Sequence, residues 1–249
     1  MVSFIVAGVQ KAGTTALFSF LSKHPEIFLP ARKEVHFFDN ENLDWSRPSY
    51  DAFENIFASK TEAQIAGEVT PIYTYWPTSA ERIQAYNPAM KIIVCLRNPV
   101  NRAFSHWGME VTRGWDSLPF PEAIRNGRSR VTGEIGPQYN VHRVFSYVER
   151  GFYGPQIKRL LRFFPREQLL FIRNTWLRND MNKTLNKITD FLGTSRFDTY
   201  PVARRVVPVP KTVQLAPLAE ADRQYLKNLY HEDIELTEAL TGLDLSDWK

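Results

Sequence analysis

The sequence predicts an α/β fold: a single three-layer domain, residues 1–249, with a central, mainly parallel sheet flanked by helices. Three observations carry this expectation. Short apolar runs rich in β-branched residues alternate with helical patterns along the chain. A glycine loop joins the first such run to the first helical pattern. The 249 residues, 43% hydrophobic and 23% charged, have the length and composition to bury one large core.

The elements follow in order. "SFIVAG" (3–8) is the first strand, and a helix opens at Thr14 with Leu17, Phe18 and Leu21 on its apolar face. "IFLP" (27–30), "QIAGEV" (64–69), "KIIVCL" (91–96) and "QLLFI" (168–172) are further strands. Val100, Ala103, Phe104, Trp107 and Val111 recur at helical spacing after the fourth strand. Ile157, Leu160, Leu161 and Phe164 do so before the fifth, and Leu185, Ile188 and Leu192 after it. The stretch 115–150, with Pro119, Pro121 and Pro137, reads as surface helices and loops. Residues 196–217 carry four prolines and read as an irregular loop, before a last amphipathic helix around 218–240.

A parallel sheet binds ligands beyond the carboxyl ends of its strands. Here four polar clusters follow strand ends: the glycine loop, "RKEVHFFD", "GEVTPIY" and "LRNPVNRAFSHW". In the first, "GVQKAGTTAL" (8–17), Gly8 and Gly13 have the spacing of a Walker A loop, which makes the fold P-loop-like. Thr14 and Thr15 nevertheless stand where a Walker lysine and its neighbour would be, and Lys11 lies inside the loop. Gln10, Lys11, Ala12, Gly13, Thr14 and Thr15 are therefore candidate anion contacts, through backbone N–H groups, the helix N-terminus and the hydroxyls. Thr14 and Thr15 also suit a helix cap. Lys11 is placed to touch the bridging oxygen between a 5′-phosphate and a group being transferred; a solvated lysine on a glycine turn is the plainer alternative. No Mg²⁺-binding aspartate is apparent at a strand end.

In the fourth cluster Asn98 can cap the following helix and Pro99 can occupy its first turn. Ser105 then falls roughly 140° from the apolar stripe, off the core face. Arg97 at the strand end can fork to a phosphate. In the second cluster Glu34 is the candidate general base, which works best with a pKa raised toward neutrality; Lys33 and Arg32 beside it oppose that shift. His36 is the rival base, sharing a face with Glu34 if the segment is extended. In the third, Tyr73, Tyr75 and Trp76 are candidates for stacking against an acceptor or for core, and Glu68 is a candidate for acceptor contact.

Composition narrows the classes. The net charge of +4 is spread rather than gathered in a stripe, so no nucleic acid is expected. The one cysteine, Cys95, in an apolar run, excludes an intrachain disulfide and reads as a buried, inert thiol. Five scattered histidines give no zinc spacing, so no metal is expected. "MVSFIVAGV" is too short for a membrane span, and a cytoplasmic protein is expected.

"GVQKAGTTAL" resembles the 5′-phosphosulfate loop of sulfotransferases that use 3′-phosphoadenosine-5′-phosphosulfate (PAPS). "LRNPVNRAFSHW" resembles their 3′-phosphate segment, in which an arginine and a serine eight residues later grip the phosphate; these are Arg97 and Ser105. "KEVHFFD" is similar to the heparan sulfate sulfotransferase branch, which implies Glu34 as catalytic base. "RGFYGPQIKRLLRFFPREQLLFI" and "LTGLDLSDW" are similar to bacterial members, so the resemblance covers essentially the whole chain. It implies sulfuryl transfer from PAPS to a hydroxyl of a carbohydrate, glycolipid or small natural product, leaving 3′-phosphoadenosine-5′-phosphate (PAP), without metal.

Two departures stand out. The animal heparan enzymes commonly read Glu-Lys-Thr-Pro where this chain has Glu68, Val69, Thr70 and Pro71, and losing that lysine suggests a more neutral acceptor. Their C-terminal nucleotide loop, closed by a disulfide and a Lys-Gly-Arg segment, is not matched; Arg204, Arg205 and Lys211 are candidate replacements, and Tyr153 a further lining residue. The alternatives are a P-loop kinase, which needs ATP and Mg²⁺, and a non-catalytic polyanion binder using the basic stretches 143–166 and 204–211.

Overall fold

Five strands form one sheet, all parallel: β1 (Phe4–Gly8), β2 (Ile27–Phe28), β3 (Ile65–Val69), β4 (Lys91–Leu96) and β5 (Leu169–Arg173). The computed structural model describes residues 1–131, 141–202 and 215–249. The strand order is β2–β3–β1–β4–β5. β1 is buried along its whole length and β4 along all but Lys91, as near-continuous apolar strands covered on both faces must be. Phe4 pairs with Gly67, and the glycine is required there: a Cβ would lie 2.1 Å from the Phe4 ring.

The order places β1 in the centre. The chain leaving β1 goes to the β2–β3 side, and the chain leaving β4 goes to β5, so the direction of travel reverses between β1 and β4. Their carboxyl ends therefore flank the switch-point crevice where open α/β sheets bind ligands.

The expected helices are present as Thr14–Leu21, Pro99–Thr112, Tyr153–Phe163, Met181–Leu192 and Glu220–Thr241, with Ser79–Tyr86 between β3 and β4. Short helical turns occupy 120–130 and 141–151, as the proline-rich reading of that stretch expects. Among the described residues, no helix is long and apolar enough to cross a membrane.

The chain divides into two compact units. One comprises Met1–Asp39, Leu43–Arg97 and Arg159–Pro208, and holds the entire sheet. The other comprises Asn40–Asn42, Asn98–Lys158 and Val209–Lys249. Within that second unit the Asn98 side chain caps helix Pro99–Thr112, accepting from the Val100 and Asn101 amides, with Pro99 in the first turn as the sequence implies. The helix is buried on a second side that its apolar stripe does not announce. Arg102, His106 and Glu110, spaced by four, are all buried, and Arg102 donates to the Tyr147 carbonyl. Periodicity of apolar residues cannot register such a polar face.

Candidate active site

The loop after β1 is shaped by two left-handed residues, Lys11 (φ 69°) and Gly13 (φ 96°). Between them the Ala12 amide donates back to the Val9 carbonyl at 3.1 Å, closing a tight turn within the loop. Gly13 is the N-cap of helix Thr14–Leu21 and no side chain caps it, so Thr14 and Thr15 are first-turn residues rather than caps. Thr14 and Ala12 are buried, while Gln10, Lys11 and Thr15 are half-buried. Arg97, just past β4, donates from Nη1 to the Lys11 carbonyl at 2.7 Å, tying the loop across the switch-point crevice. Cys95 Sγ lies 3.2 Å from the Ala12 carbonyl, and burial pushes its thiol pKa far up, so it is a packing residue.

The loop after β3 is joined to the same rim. The Thr70 amide donates to the Val6 carbonyl and the Thr74 amide to the Ala7 carbonyl. Thr74 leaves room only for glycine at position 8, where a Cβ would lie 2.5 Å from its Oγ1. Arg159 donates to the carbonyls of Thr74 and Tyr75 at 2.8 and 2.9 Å, clamping this loop from a distant helix.

Glu34 sits against the end of β3, its amide donating to the Val69 carbonyl at 3.1 Å. The segment around it is not an extended strand. Glu34 (φ 66°) and His36 (φ 58°) are both left-handed, an unusual state for residues with side chains, found where surrounding contacts over-determine the backbone. Those contacts are visible: Phe38 is buried in an aromatic cluster with Phe37, Trp45, Phe53, Tyr73 and Tyr86. The Tyr73 hydroxyl accepts from the Phe37 and Phe38 amides at 3.0 and 3.3 Å.

The left-handed turns gather four charged groups. His36 Nε2 lies 3.5 Å from Glu34 Oε2, and its Nδ1 lies 2.9 Å from Oδ2 of the buried Asp39. Lys33 Nζ contacts Glu34 Oε1. Burial works against the charge on His36, but the bonds to Asp39 and Glu34 outweigh it and raise the imidazole to about 9. Burial likewise pushes Glu34 up, yet His36 and Lys33 prevail and hold it at about 2. A general base works best with a raised pKa; in the protein alone Lys33, one of the two basic neighbours set against that shift in the sequence, and His36 face the carboxylate and hold it low. Glu34 and His36 meet through left-handed turns; the shared strand face, which required an extended segment, is not formed.

Beneath this layer, Glu68 is fully buried. Burial raises its carboxyl to about 7 despite the Tyr73 and Thr70 hydroxyls beside it. Thr70 Oγ1 donates to its Oε2 at 3.0 Å, and its Oε1 has no hydrogen-bond partner among the described residues. Glu68, a candidate for acceptor contact, is fully buried, which corrects that expectation; Tyr73 and Trp76 are buried as well, in keeping with the core alternative. Tyr73 serves the 34–38 backbone and Trp76 fills core, while Tyr75 is half-buried. Tyr153 is also buried, in the second unit, its ring 6.3 Å from that of Trp248 and its amide donating to Asp233. Ser105 is half-buried on the helix of that unit. Arg204, Arg205 and Lys211 lie outside the described residues.

Asp39 and Arg159 were not singled out from the sequence. The first was legible as an acid three residues after His36; the second had no local signal, since its partners lie more than eighty positions away. Among the described residues no cluster of three or more His, Cys, Asp or Glu could hold a metal ion.

Comparison with known proteins meets this geometry. Residues 3–205 match the sulfotransferase domain family. Human heparan sulfate glucosamine 3-O-sulfotransferase 6 is 32% identical over 200 residues, covering 78% of this chain and 53% of that protein. The chain spans about half the length of the curated relatives it matches. A crystal structure of a sulfotransferase from Alicyclobacillus acidocaldarius superposes with a TM-score of 0.82 at 28% identity, covering 100% of this chain and 98% of the other. A mouse sulfotransferase complexed with PAP shares the fold at a TM-score of 0.50 and 18% identity, over 79% and 60% of the two chains. A phosphate-type loop at the switch point, a carboxylate at the neighbouring strand end and these likenesses agree: the chain belongs to the sulfotransferase domain family.

Proposed function

We propose that residues 1–249 act as one domain that transfers a sulfuryl group from PAPS to an acceptor hydroxyl, with Lys11 and Glu34 at the reacting centre. The observation that carries the reading is the shared rim. The Lys11 loop is tied to Arg97 at the β1–β4 crevice, and Glu34 is tied to Val69 at the end of β3, the next strand over.

The donor set suits PAPS. A loop with left-handed Lys11 and Gly13 at a helix N-terminus offers N–H donors and an ammonium to a 5′-phosphate. Bound PAPS would supply a sulfuryl group joined through a bridging oxygen to that phosphate. Lys11 stabilises the negative charge that gathers on the bridging oxygen, and Gln10, Ala12, Gly13, Thr14 and Thr15 shape the cradle. Glu34 accepts the acceptor's hydroxyl proton, and His36, held by Asp39, orients Glu34. Arg97 and Ser105 hold the 3′-phosphate, with Arg204, Arg205 and Lys211 as further nucleotide contacts. The acceptor is a hydroxyl compound of the carbohydrate, glycolipid or small natural-product type. Val69, uncharged where the animal heparan enzymes commonly carry a lysine, favours a less anionic one than heparan.

Calorimetric titration without Mg²⁺ tests this. PAP is expected to bind where adenosine 5′-phosphate and ATP do not, with loss on Arg97→Ala or Ser105→Ala. Equal binding of all three would sink the reading. Mg²⁺-dependent ATP binding would indicate a kinase, and steeply salt-dependent polyanion binding that survives Lys11→Ala would indicate the non-catalytic alternative.

A further inference from the structure

Lys33 and Glu34 are neighbours in sequence, and neighbouring side chains face each other neither on a helix nor on a strand. Here they do, because the left-handed Glu34 folds the backbone over. The result is an unequal pair. The Lys33 side chain is only 16% exposed while its partner is 40% exposed, so the ammonium is held inward against the carboxylate rather than waving from the surface. Glu34 has a second cation, His36, locked by the buried Asp39. The imidazole is therefore a fixed partner, whereas Lys33, on a flexible four-carbon stem, is an exchangeable one.

We propose that Lys33 is a catalytic counter-cation that changes partner: it rests on Glu34 in the protein alone and passes to the sulfuryl oxygens of the bound donor. This rests on the sulfuryl-transfer reading above. The logic is electrostatic. A carboxylate facing two cations is a poor base, and an incoming anion beside it draws the mobile ammonium away, restoring basicity when it is needed. In the reaction the acceptor hydroxyl's proton goes to Glu34 as its oxygen bonds to sulfur. The bond from sulfur to the bridging oxygen breaks, and its electron pair stays with the 5′-phosphate.

The test uses binding, since PAP has the nucleotide and the 5′-phosphate but no sulfuryl group. In Lys33→Gln the affinity for PAPS is expected to fall roughly tenfold or more, as for loss of a charge-assisted contact, with PAP affinity unchanged. The same loss is expected when Glu34 is already Gln, and Lys33→Arg should restore most of it. Unchanged PAPS affinity overturns the proposal, as does an equal fall for both nucleotides, which is what a merely structural Lys33 would give. A fall that vanishes in the Glu34→Gln background also overturns it, because Lys33 would then only screen Glu34. If the wild-type protein binds neither nucleotide, the sulfuryl-transfer reading itself fails, and Lys33's role with it.

Discussion

Replacing Glu68 by Gln should change how stability depends on pH. Glu68 is fully buried below the site, and burial raises its carboxyl from the ordinary 4.5 to about 7. Below pH 4.5 both folded and unfolded chains carry the proton, and the group contributes no pH dependence. Between 4.5 and about 7 the unfolded chain ionises and the folded one resists, so stability falls as pH rises. Each pH unit in that window costs about 1.4 kcal/mol, giving about 3 kcal/mol in all, and above 7 the loss stops growing. Gln keeps the shape and can still accept from Thr70, but it does not titrate. The variant should therefore gain about 3 kcal/mol on the wild type between pH 4 and 8, whatever constant offset the substitution brings. For a chain of this size that is a relative shift in Tm of roughly 6–12 °C, measured by thermal unfolding monitored by circular dichroism. Parallel Tm–pH curves for the two proteins would refute the reasoning, since Glu68 would then ionise no differently folded than unfolded.

Glu34→Gln should lower kcat by roughly 10²–10⁴ once an acceptor is in hand. Lys11→Ala should lower it by roughly 10²–10³, and a variant of either keeping more than about a tenth of the wild-type rate would remove that residue from its role. Asp39→Asn should bring the His36 imidazole down from about 9 toward its ordinary 6.5, followed as the ring-proton NMR titration; an unmoved midpoint would mean the buried carboxylate does not hold the charge. The stability this variant loses should be greatest below pH 6.5 and fade as pH rises through about 9, the window in which wild-type His36 gives up its extra proton. Gly67→Ala drives a Cβ into the Phe4 ring and should cost about 1–3 kcal/mol or more in urea unfolding, whereas a cost near zero would show that β1 and β3 slide apart easily.

The layered architecture was legible because its signals are local. β1 and β4 read as apolar runs since both of their faces are covered, and the capped start of helix Pro99–Thr112 was visible in Asn98 and Pro99. The Lys11 loop was visible for the same reason: glycine spacing, a strand before and a helix after are all contained in a few residues. Burial of polar groups was not legible. Nothing in "NRAFSHWGME" says that Arg102, His106 and Glu110 face inward, and nothing in "GEVTPIY" says that Tyr73 is a support for the 37–38 amides rather than an acceptor contact. A residue type declares what it can bond to, not whether solvent is there to compete.

By itself, then, the sequence determined the alternation of strands and helices, the glycine loop between the first strand and helix, and the family to which they belong, because each depends on spacing along the chain. The tertiary structure decided the chemistry of the carboxylate. Two left-handed residues, a buried Asp39 and a tyrosine from beyond β3 bring Lys33, Glu34 and His36 together, and that meeting holds the Glu34 carboxyl well below its ordinary range. Proton affinity is set by the charges and the solvent within a few ångströms, and those are fixed only when distant segments pack.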